Sequence, residues 1–393
     1  MSYEAKHEPN GWRSQAVQGG SGLAFKASAR AWRRLRLIPL AIAVIAMIFG
    51  LWTGLQRLGL PLPGTSYPPS DLHSAFMIAG FLGTVISLER AVAYGRGWAY
   101  AAPAFSGFGA VMLISNTPDL AALAFIAASA VLLAVTVCIA LRQFAMFTVV
   151  LAIAAACWTI GTILWASGQS MPSVVGWWLN FLILTIAAER LELSRILRVT
   201  SVSQAIFFFL TLLLLVGAAR AELGNSSSPL TAAGLIGFAA WMLHHDIARR
   251  TIRQTGQPRF SAYSILLGHG WLAVAGLTLS ATSTGLLMSS YDATIHAVAI
   301  GFVLSMIFGH APIILPAVTG IRIQFSRMSY IPLALLHLSI LIRVVSDLVG
   351  WTEYRVAGGI LTIVALAGYA LTVIATTLLT RRDARKHARE TAR

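Results

Sequence analysis

The sequence predicts an all-α polytopic membrane protein of about twelve transmembrane helices. Three observations predict it. Apolar runs of bilayer-spanning length, roughly 17–25 residues, recur from Ala41 to Leu379. Of 393 residues, 57% are hydrophobic and 11% charged, with mean hydropathy +0.75, too little polarity to coat a soluble domain. Once the runs are read as spans, the basic residues fall almost entirely on one side. A β-barrel is excluded, because its strands would alternate at period two and these runs are continuously apolar.

The spans fall at 37–56, 72–92, 98–115, 120–141, 144–167, 174–194, 201–219, 229–248, 262–287, 293–316, 328–349 and 356–380. Before the first lie about 35 polar, Arg-rich residues with no small-residue cleavage site behind a short apolar core, so no cleavable signal is expected. The Pro-rich loop LPLPGTSYPPSD (60–71) then delivers the chain to His73 at the head of span 2. Cys138 and Cys157 lie inside spans 4 and 5 and read as small packing residues. Spans 2 and 6 end in Glu89-Arg90 and Glu189-Arg190, which read as interfacial ion pairs with a snorkelling Arg, proton uptake being the sharper alternative. Span 8 ends in His244-His245-Asp246, expected to be a solvated helix end. In span 11, Arg343 and Asp347 are spaced i,i+4 and should pair. Trp177, Trp178, Trp271 and Trp351 near span ends fit the interfacial preference of Trp.

With these spans, 25 of the 29 Lys and Arg share a side with the N-terminus; Arg57, Arg220, Arg343 and Arg355 are the exceptions. The positive-inside rule then places both termini in the cytoplasm and the chain in the inner (cytoplasmic) membrane. Three regions follow: a disordered basic arm (1–35), a membrane domain (36–380) and a basic tail (381–393). The net charge of +15 is thereby explained by topology and by contact with the lipid bilayer. Nucleic acid is not an expected partner.

Three segments repeat: FLGTVISLER (81–90), FLILTIAAER (181–190) and FVLSMIFGH (302–310). They lie on spans 2, 6 and 10, four apart, which points to three four-helix units about a pseudo-threefold axis. His310 takes the position of Glu89 and Glu189.

Ionisable residues inside spans are functional candidates by default. Seven of the nine histidines belong to or adjoin the spans: His73, His244, His245, His269, His296, His310 and His337. His73 and His296 share a depth near the outer face, on different helices. His269, His310 and His337 share a depth on the cytoplasmic side and are candidates for a second metal or haem site, a polar network between helices being the alternative.

Span 10, HAVAIGFVLSMIFGHAPIILPAVTG (296–320), resembles the tenth helix of the haem–copper oxidase catalytic subunit, with Pro316, Thr319 and Gly320 at the family offsets from His296. HSAFM (73–77) is similar to that family's second helix. The resemblance implies twelve spans, a pseudo-threefold bundle and a low-spin haem b between axial ligands His73 and His296. Arg343 and Arg355 then become candidate contacts for haem propionates. The oxygen-reducing centre has no counterpart: Thr294 stands where the high-spin haem ligand would be, helix 6 has no histidine, and His244–His245 end the wrong helix on the wrong side. Copper is conceivable but nothing in the residues supports it. Gly80-Phe81 after His73 and Gly301-Phe302 after His296 also resemble the NnrS-like twelve-span haem proteins associated with nitric oxide and denitrification.

The resulting expectation is a b-type haem protein for electron transfer or nitric oxide metabolism, served by a membrane or periplasmic electron-transfer partner. Whether it is an enzyme is left open. The alternative from another class is a cofactor-free, proton-coupled secondary transporter.

Overall fold

A computed structural model describes residues 35–62, 70–194, 199–221, 223, 228–287, 290–321 and 323–390. All but one residue of the expected N-terminal arm, the stretch 63–69 of the Pro-rich loop and the last three residues of the tail lie outside the described residues. Among those described, all regular structure is helical.

Twelve long helices follow in order: α1 (Leu37–Arg57), α2 (Ala75–Tyr94), α3 (Gly97–Ile114), α4 (Pro118–Arg142), α5 (Met146–Ala166), α6 (Met171–Ser194), α7 (Ser201–Ala219), α8 (Pro229–His245), α9 (Gln257–Ser283), α10 (Tyr291–Thr319), α11 (Tyr330–Val349) and α12 (Thr352–Glu390). Eleven are long and apolar enough to cross a membrane; α8, with 17 residues, is the short one. The protein is thus a polytopic helical membrane protein, and α12 continues ten residues beyond the predicted span end.

Helix boundaries follow local chemistry. Prolines open α4, α8 and α9, where the missing N–H costs nothing. Left-handed glycines at Gly95, Gly320 and Gly350 close α2, α10 and α11. Inside the spans, hydroxyls fold back onto the preceding turn, as with Thr84 donating to the Gly80 carbonyl and Ser305 to that of Gly301. In hydrocarbon such a hydroxyl has no water to bond, so the helix itself satisfies it.

Consecutive helices pack side by side, and α12 returns to α1, closing a ring. Within it lie α2, α6 and α10. In α2 and α6, 67% of the most apolar stretch is buried inside the protein and in α10 56%, against 22% in α1 and α12. Helix α5 equals α10 because Trp158 plugs the α2–α6 junction, pressed against Gly83 and stacked on Phe181 at 5.1 Å. Helix α10 packs directly on α2 and on α6. The three interior helices are the three that carry the repeated segment, which is the placement a threefold repeat demands. Below, the face holding the start of α1 is the N-face and the opposite one the far face.

Candidate functional site

Two interior helices begin alike. In α2, residues Ala75–Leu82 form a π-helical stretch directly after His73; in α10, residues Ala297–Leu304 do so directly after His296. Wide π turns tilt side chains off the regular helical stripe and recur at functional sites. Each stretch contains one of the Gly-Phe pairs noted in the sequence.

The His73 ring rests on α1. That helix carries Gly50-x-x-x-Gly54, whose bare backbone lets α2 approach closely. A Cβ at Gly54 would sit 2.8 Å from His73 Cε1, and one at Gly50 would sit 2.6 Å from Met77 Sδ. His73 Nδ1 lies 2.6 Å from the Gly50 carbonyl oxygen. His296 Nδ1 lies 2.7 Å from the carbonyl oxygen of Asp292, one turn earlier. A carbonyl only accepts, so Nδ1 carries the proton in both rings. Nε2 then holds the lone pair, and neither Nε2 has a protein partner among the described residues. This second bond is what fixes tautomer and ring orientation in metal-ligating histidines.

The two imidazoles are half-buried and share one electrostatic environment, each feeling the other's neighbours Arg57 and Arg343. The packing of α2 on α10 involves their N-face halves, and the two histidines lie on the far-face halves.

Above the pair lies a charged cluster. Arg343 Nε donates to Asp347 at 3.2 Å, the pairing expected from the i,i+4 spacing. Arg355 bridges Asp292 at 3.0 Å and Asp347 at 2.5 Å. Asp292 therefore serves twice: its carbonyl orients His296 and its carboxylate anchors Arg355. Arg343 spends only Nε here, and its terminal nitrogens make no hydrogen bond among the described residues.

The same tautomer test sorts the other histidines. His337 Nδ1 accepts from Trp271 Nε1 at 2.9 Å, so its proton sits on Nε2, which is buried without an acceptor. A metal could use His337 only after that bond was broken. His310 Nδ1 donates to the Met306 carbonyl at 2.6 Å, and its Nε2 lone pair is taken by the Arg190 guanidinium at 2.5 Å. His269 Nε2 donates to Asp246 at 3.1 Å, and its Nδ1 lone pair is buried without a partner, but on the N-face side of the bundle and with no second free imidazole beside it among the described residues. The three do not converge, and among the described residues no three His, Cys, Asp or Glu are placed to hold a metal ion. The pair His244–His245 forms no site either: His244 is exposed, and His245 stacks on Trp241 and bonds Ser203.

Two expectations need correction. Asp246 does not end a solvated helix. Its side chain is 1% exposed, tied to His269 and 4.0 Å from Arg190. Arg190 does not snorkel; it is buried at 4% exposure and turns inward to His310 and Asp246. Nor is Arg90 satisfied only by its neighbour Glu89, since it reaches Glu189 across helices at 2.5 Å. The repeat gives these contacts a simple order. Glu89, Glu189 and His310 are equivalent positions, as are Arg90, Arg190 and Ala311. The Arg of α2 holds the acceptor of α6, and the Arg of α6 holds the acceptor of α10. At the third edge Ala311 has nothing to offer α2. The Glu89–Arg90 ion pair was legible at the end of α2, but the crossings of Arg90 to α6 and of Arg190 to α10 were not.

Residues 36–378 match the family described as Domain of unknown function (DUF8744). The chain belongs to that family. No curated protein and no solved structure matches it. Chemical reading of this DUF8744 member therefore rests on its own side chains: two neutral, oriented imidazoles on separate interior helices, with an arginine-rich cluster above.

Two tests address the site directly. Gly54→Ala should displace the His73 ring, because the added methyl falls inside its contact distance; any spectrum that depends on His73 should change while the bundle still elutes as a monodisperse peak. His337→Phe should leave such a spectrum intact and cost only about 1 kcal/mol, the worth of one Trp–His hydrogen bond, read as a small drop in thermal midpoint.

Proposed function

We propose that this protein is a membrane b-type haem protein, with His73 and His296 as the axial ligands of one haem and electron transfer as its task. The observation that carries this reading is the matched pair of Nδ1–H···O=C bonds, which leave two Nε2 lone pairs free on two different interior helices. A half-buried imidazole inside a span with an oriented ring and an unused lone pair is a candidate ligand, and two at one depth suit a shared partner. Both are neutral nitrogen donors of the kind that suits haem iron.

Haem, when bound, supplies a one-electron iron couple. The chain's own residues do the rest. Gly50 and Asp292 carbonyls fix both imidazole tautomers. Gly50 and Gly54 bring α1 close enough to seat His73. Arg343 offers its terminal nitrogens to a propionate, while Arg355 is already engaged by two carboxylates and serves Arg343 by sharing Asp347. With both imidazoles holding it, a haem here would serve electron transfer rather than capture of a gas; a role in nitric oxide metabolism would run through electron supply. By the positive-inside rule the N-face is cytoplasmic, so this site faces a donor or acceptor on the outer side of the inner membrane.

The test is the visible spectrum of protein purified in mild detergent from haem-sufficient cells. Reduction should give sharp α and β bands, unchanged under carbon monoxide because no axial position is open. A second reading, a proton-coupled transporter, is favoured by the half-buried Arg90–Glu189 pair and the buried Arg190–Asp246–His269 contacts. A colourless, folded preparation would turn the choice to it.

A further inference from the structure

At the N-face, the start of α1 and the start of α3 diverge and leave a cleft of about 380 Å³, within the ~300–1,000 Å³ span of ligand clefts. Its walls are apolar, with Ile38, Ile42, Pro103, Phe108 and Val111 the main contributors. Ile38 and Phe108 are among the exposed large hydrophobics, so the cleft opens outward from the bundle, towards lipid. One charged side chain lines it: Arg36, at the helix mouth. The guanidinium is held over the Tyr100 ring with Cζ 5.6 Å from the ring centroid, and Arg36 Nε is buried without an acceptor. No acidic residue lines the cleft.

An apolar slot open to lipid with a cation fixed at its interfacial end has the layout of a phospholipid: an acyl chain below, a phosphate at headgroup level. A buried N–H without an acceptor loses a hydrogen bond it could make in water, and a phosphate oxygen restores it with charge assistance. Arginines between helices at this leaflet are suited to anionic headgroups. We propose that the α1–α3 cleft is a binding site for one anionic phospholipid of the bilayer, its phosphate on Arg36 and one acyl chain along Ile38, Ile42 and Phe108.

The test uses the full chain in two sets of vesicles, one of phosphatidylglycerol with phosphatidylethanolamine and one of phosphatidylcholine. Lipid retained through mild-detergent extraction is counted per chain by native mass spectrometry. The proposal expects about one retained phosphatidylglycerol and little phosphatidylcholine. Arg36→Gln should weaken phosphatidylglycerol retention about five-fold, the worth of one surface cation near lipid, and Arg36→Lys should keep most of it. Ala104→Trp, at an exposed position on the cleft wall, should fill the slot and lower retention of both lipids. A photoreactive residue at position 104 identifies the occupant. Adducts of phosphatidylglycerol mass support the proposal. Adducts with residues 1–34 or with a second copy would overturn it, as would retention that ignores Arg36→Gln.

Discussion

Replacing His73 or His296 by alanine is expected to abolish the paired α and β bands of the reduced protein while leaving its elution profile unchanged. Each substitution removes one of two nitrogen donors, and one remaining imidazole leaves iron five-coordinate or lets it leave. The two variants should fail alike although they lie on different helices, because either loss destroys the six-coordinate state. His269→Ala and His310→Ala, whose Nε2 atoms are engaged by Asp246 and Arg190, should keep the bands. Substituting the orienting carbonyls is not open to mutation, so Gly54→Ala is the gentlest probe of ring placement. Survival of unaltered bands in both His73→Ala and His296→Ala would mean that any chromophore is held elsewhere.

Arg190→Met is expected to be among the most destabilising single changes in the chain. Arg190 is nearly fully buried and faces both His310 and Asp246. Its loss leaves Asp246, at 1% side-chain exposure, as a buried carboxylate with His269 as its remaining side-chain partner. Removing one partner of a buried charge pair costs about 3–5 kcal/mol, because the other charge keeps its desolvation penalty. The double variant Arg190→Met/Asp246→Asn should recover about 0.5–3 kcal/mol of the summed cost, measured by thermal unfolding in detergent. Strict additivity would show that the two groups do not act on one another.

The helical spans were legible because hydrocarbon leaves little choice: a run of that length and polarity has to be a helix. The repeat was legible too, from a shared Phe and Glu-Arg spacing, and the helices that carry it include the two most buried, α2 and α6. Less legible were features that depend on what a neighbouring helix offers. Asp246 reads as exposed in sequence because it follows two histidines at a helix end, yet His269 and Arg190 from other helices cover it. His269, His310 and His337 share a depth, but depth says nothing about direction around a helix axis, and their rings turn to different partners. The Gly50-x-x-x-Gly54 face was available as a sequence signal for close approach of α2. The π-helical stretches carry no comparable composition signal.

Haem content per chain, by the pyridine haemochrome of protein purified from haem-sufficient cells, bears most directly on the ligand pair. The expected result is one haem b for each chain, falling towards none in both His73→Ala and His296→Ala. Folded wild-type protein with no haem would contradict the assignment, and the two free Nε2 atoms would then need another partner.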